Sequence, residues 1–100
     1  MTYIEKLSDV IRRLHDCESI HVSTVPITES FHGQVIWSGN VEVFDIRGHP
    51  LTRRCYAWSY QDEQGMDQYT AVLELPPVRD AQTAVQTAIA AQVKNETKKT

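Results

Sequence analysis

The sequence predicts an α+β fold. The expected architecture is a two-layer sandwich of order α-β-β-β-α, with a three-stranded antiparallel sheet and both helices on one face. Three observations predict it. Apolar residues recur at spacings of three and four near both ends of the chain. Between them lie three segments rich in β-branched and aromatic residues, set apart by Gly- and Pro-containing stretches. The chain has 100 residues, 41% hydrophobic and 23% charged, which suits one globular domain and excludes a disordered polyelectrolyte.

The first helix starts at Thr2. Thr2 and Glu5 fit a capping box, in which each side chain satisfies a free backbone donor. Ile4, Leu7, Val10, Ile11 and Leu14 then form one apolar stripe, and the helix is expected to end near Cys17. Residues 18–33 read less clearly. Ile20, Val22 and Thr24 alternate with His21, Ser23 and Val25 as in a short strand, which Pro26 ends or confines to a sheet edge. Thr28–Gly33 reads as a loop.

From Gln34 to Ile46 the pattern is strand-like. Ser38-Gly39-Asn40 interrupts it, either as a tight turn or as a glycine bulge in one long strand, and the bulge is preferred. Arg47-Gly48-His49-Pro50 is a turn. Thr52–Gln61 and Gln68–Leu75 are the next strands, joined by a polar hairpin loop and stopped by Pro76-Pro77. Asp80 then caps a last helix whose inner face is Ala81, Ala84, Val85, Ala88, Ile89 and Val93. One domain over residues 1–94 follows, with residues 95–100 expected to fray.

The helix–strand–strand–strand–helix order resembles the double-stranded RNA-binding domain. The alanine-rich last helix and the Gly/His/Pro turn carry the resemblance over residues 34–94. That family reads RNA with a Gly-Pro-x-His loop and a lysine cluster at the start of the last helix. Here the corresponding positions read Arg47-Gly48-His49-Pro50 and Val78-Arg79-Asp80-Ala81. The resemblance therefore implies the fold and not the RNA-binding activity.

Charge restricts function further. The net charge is −3, with four basic and seven acidic residues in the first half and six of each in the second. Neither half has the basic balance of a general nucleic-acid binder. No apolar run is long enough to span a bilayer, and Met-Thr-Tyr-Ile-Glu-Lys lacks the pattern of a signal peptide. Cys17 and Cys55 read as reduced thiols, and a cytoplasmic location is expected.

Strand parity yields the first candidate site. Small and aliphatic residues are expected beneath the helices: Val41, Val43, Cys55, Ala57, Ala71 and Leu73. Phe44, Ile46, Tyr56, Trp58, Tyr60 and Val72 then fall on an open face as an aromatic protein interface. Arg47, His49, Arg53 and Arg54 cluster around one turn and are candidates for an anionic group. His15, Cys17 and His21 are residue types found in metal or thiol sites, yet they lack the paired spacing of a zinc site. No catalytic residue, metal ligand or cofactor is assigned.

The expected function is a small non-enzymatic interaction domain. It would self-associate or bind a protein partner through the aromatic face. The alternatives are an RNA or single-stranded DNA binding module and a small thiol- or metal-dependent enzyme.

Overall fold

A computed structural model describes the backbone of residues 1–98 and the side chains through Ala91. The elements are α1 (Tyr3–His15), β1 (Glu18–Phe31), β2 (Gln34–Arg47), β3 (Arg54–Gln61), β4 (Asp67–Leu73) and α2 (Ala81–Lys98). The four strands form one antiparallel sheet in the order β1-β2-β3-β4. The α+β class and the antiparallel sheet agree with expectation. The strand count and the helix placement do not.

The capping box at α1 forms as expected. The Glu5 amide donates to Thr2 Oγ1 at 3.1 Å, and the Glu5 carboxylate returns to the Thr2 amide at 3.4 Å. Asp16 closes the helix in the left-handed region, at φ 55°. At α2 the Thr83 amide donates to Asp80 Oδ1 at 2.8 Å, and Thr83 Oγ1 accepts from the Asp80 amide at 3.0 Å. Thr83 thus plays the reciprocal part that Glu5 plays in α1. The helix continues to Lys98, past the expected end at residue 94.

The fourth strand comes from residues 18–31. The segment expected to be a loop is the second half of β1, and only His32 and Gly33 turn the chain. Both have positive φ, 51° and 77°, as a two-residue hairpin turn requires. Pro26 sits on this edge strand, where its missing N–H disturbs no inner ladder. A register shift at His21/Ser23 leaves Val22 as an extra residue. The proline and the bulge together blunt the outer edge against further pairing.

Gly39 lies within one long strand, as preferred, but it is not the bulge. It pairs in register with Ile27, and the irregularity falls where Ile36 is the extra residue. Gly39 instead makes room for an indole. A Cβ there would stand 3.1 Å from Trp37 Cη2 and 3.2 Å from Cζ2.

The helices lie on opposite faces, making three layers. One core joins Leu7, Val10 and Ile11 of α1 to Phe44, Ile46, Cys55, Ala57 and Ala71. The other joins Ala81, Ala84 and Val85 of α2 to Val41, Val43, Tyr56 and Trp58. Alternate residues of β3 therefore serve different cores. The expectation of both helices on one face is corrected by side-chain size. On β3 the large residues of α1 sit on Cys55 and Ala57, while β2 adds Phe44 and Ile46 to that core. The alanines of α2 need large sheet residues beneath them, and Tyr56 and Trp58 supply that volume.

β2 and β3 pair only from Glu42/Ala57 to Asp45/Arg54. Beyond that point the β1–β2 ribbon and the β3–β4 hairpin separate. Ser59 shares parity with Cys55 and Ala57, whose amides face β2. With β2 gone, the Ser59 amide donates to the Tyr3 hydroxyl at 3.1 Å.

Candidate functional site

Most of the expected aromatic interface is core. Phe44, Ile46, Tyr56 and Trp58 are all buried, with Trp58 only 3% exposed. β2 and β3 pair one residue out of phase with the expected parity. Phe44 stands opposite Cys55 and faces α1, while Val43 stands opposite Tyr56 and faces α2. The six candidates are thus split between two faces, each covered by a helix. Tyr60, 41% exposed, keeps its ring at the surface. Trp58, Tyr60 and Val72 line a cleft of about 620 Å³ between α2 and the separated hairpins. Trp37 meets Trp58 there edge to face, with ring centroids 6.0 Å apart.

The basic candidates do converge. Arg47, His49, Arg53 and Arg54 all line one concavity of about 720 Å³ at the β2–β3 turn. β2 delivers Arg47, the connecting loop delivers His49 and Arg53, and β3 delivers Arg54. The Ile46 amide donates to the Arg53 carbonyl at 2.8 Å, which closes the base of the loop. Arg54 Nη2 donates to Asp45 Oδ1 at 3.1 Å. The Leu51 amide donates to His49 Nδ1 at 3.0 Å. In the neutral ring the proton then sits on Nε2, as a free donor.

His15, Cys17 and His21 do not share a centre. His15 Nε2 meets the Ala71 carbonyl at 2.8 Å, and the Cys17 thiol donates to the His15 carbonyl at 3.2 Å. His21 Nε2 meets Glu42 Oε1 at 2.8 Å. Among the described residues no group of three or more His, Cys, Asp or Glu side chains is placed to hold a metal ion.

Sequence reasoning missed Glu42. Its carboxylate is buried at 4% exposure and also accepts from the Thr24 hydroxyl. The missing information was β1 itself, which supplies both partners. Burial pushes the Cys55 thiol up to about 12, with the neighbouring Cys17 adding to it. Such a thiol is not an activated nucleophile. The Tyr56 hydroxyl is also raised, first by burial and then by donating to Glu74 Oε1 at 2.7 Å.

A further surface stands out at the far end of the β1–β2 ribbon. Phe31, Val35 and Ile36 are 63%, 62% and 50% exposed. Ser30–Val41 carries no Asp, Glu, Lys or Arg, although Glu29 and Glu42 flank it.

Comparison with known proteins found no match, whether to a family model, a curated protein or a solved structure. No helix among the described residues is long and apolar enough to cross a membrane.

Proposed function

We propose that this chain is a non-enzymatic interaction domain that self-associates through the distal end of the β1–β2 ribbon. The observation that carries the reading is the exposure of Phe31, Val35 and Ile36 within an uncharged stretch. Three large apolar side chains in water favour contact with another apolar surface. A second copy fits for an electrostatic reason. The chain carries a net charge of −3, so like-with-like contact is repulsive over most of its surface. At the uncharged ribbon end that repulsion is weakest. Two-fold closure is the usual arrangement when a chain associates with its own copy.

The ribbon also extends past the strand that would otherwise flank it. β2 loses β3 beyond Glu42, so among the described residues its backbone on that side has no strand neighbour. An unpaired stretch of this kind supports a close approach by another chain.

The test is light scattering across a concentration series, on the wild type and on Phe31→Asp/Val35→Lys. Dimerisation of the wild type and a monomeric, still folded variant are the expected results. A wild type that stays monomeric at its solubility limit, or a dimer that ignores the substitutions, overturns the reading.

A further inference from the structure

We propose that the concavity at the β2–β3 turn is a binding site for a small phosphate monoester. This inference is independent of self-association, because the concavity and the Phe31 end of the ribbon lie at opposite ends of β2.

The lining holds three guanidinium groups and two carboxylates. Both carboxylates already have partners. Asp45 accepts from Arg54, and Glu74 accepts the Tyr56 hydroxyl. Arg47 and Arg53 have no carboxylate within 4.0 Å among the described residues. His49 adds the Nε2 proton that the Leu51 amide leaves pointing away from the loop backbone. The site therefore offers uncommitted donors from β2 and the connecting loop, and its three guanidinium groups exceed its two carboxylates by one positive charge.

That arrangement favours a tetrahedral anion over a planar one. A carboxylate is satisfied by a single guanidinium fork. A terminal phosphate has three oxygens spread in different directions, which suits Arg47, Arg53 and His49 arriving from separate positions. Apart from His49, no aromatic side chain among the described residues lines the concavity, so it offers no ring platform for a nucleobase there. Ile20 forms an apolar part of the wall. An aliphatic or sugar phosphate matches these groups better than a nucleic-acid strand. The volume, about 720 Å³, is within the range of small-molecule sites, roughly 300–1,000 Å³.

The experiment is a nuclear magnetic resonance titration of the full chain with glycerol phosphate, inorganic phosphate, acetate and a single-stranded oligonucleotide at equal ionic strength. Saturable shifts at the Gly48, His49 and Arg53 amides are expected with glycerol phosphate and inorganic phosphate. Tighter binding of glycerol phosphate places the ester group against the Ile20 wall. The variant Arg47→Gln/Arg53→Gln should weaken binding at least about tenfold, the loss of a charge-assisted contact. Both side chains are exposed, and an unchanged amide spectrum elsewhere verifies the fold. The proposal is overturned if acetate produces the same shifts, if the double variant binds equally well, if no ligand saturates, or if only the oligonucleotide binds.

Discussion

Cys55 and Tyr56 are neighbours in β3 and are buried in different cores. Cys55 packs under α1 and Tyr56 under α2. The two helices therefore share one strand as a common floor, and each reads alternate residues of it. From Cys55 to Trp58 every side chain of β3 is therefore a core residue whichever way it points.

Trp58 follows from this directly. It is an aromatic core residue against Val85 and Ala84, not a docking group. Trp58→Ala should lower unfolding stability by about 3–5 kcal/mol. Urea denaturation checks the loss. A stability change within about 0.5 kcal/mol, the usual range for surface substitutions, would show that the ring is not packed as described.

The His21–Glu42 contact predicts an asymmetry. His21→Leu leaves a buried carboxylate with only Thr24 for company, and should cost about 1–3 kcal/mol. Adding Glu42→Leu removes the stranded charge and should recover much of that loss. A double-mutant cycle measures the coupling. Strict additivity of the two changes would contradict it.

Cys55 predicts behaviour in alkali. Its folded pKa of about 12 is above the ordinary thiol value. The stabilisation is fully present below the unfolded value, about 8.5, and is lost as pH rises from there towards the folded one. Stability should thus fall through that window, and less steeply in Cys55→Ala. Tyr56 adds to the decline, since its hydroxyl is shifted in the same direction. Thiol labelling of the native protein at Cys55 should proceed only as fast as the chain opens.

Asp80 predicts the opposite end of the pH scale. Hydrogen bonds from Thr83 hold its carboxyl below the usual carboxylate value. Its capping contribution is present above the unfolded value, about 3.9, and fades as pH falls through the folded one. Asp80→Ala should cost about 1 kcal/mol at neutral pH. The difference between variant and wild type should shrink in acid, read from thermal midpoints at both pH values.

Local features of the fold were legible because their causes are local. Thr2 and Glu5 are three residues apart, so the capping box of α1 needs no knowledge of the rest of the chain, and Asp80 as an N-cap is equally local, although the part of Thr83 appears only in the structure. The apolar stripe of α1 and the aromatic alternation of β3 are likewise carried by neighbours in sequence. β1 was only half legible. As a long edge strand it exposes Thr28, Ser30 and Phe31, so the burial that writes alternation into a sequence is missing there. The basic concavity was legible as a group because Arg47 and Arg53 flank one short turn.

The sequence by itself determined that two helices and a run of strands would form, and where each helix begins. Only the tertiary structure decided which helix covers which face. That choice rests on volumes matched across layers: bulky α1 over Cys55 and Ala57, and slender α2 over Tyr56 and Trp58. Such matching joins residues tens of positions apart, and no periodicity along the chain records it.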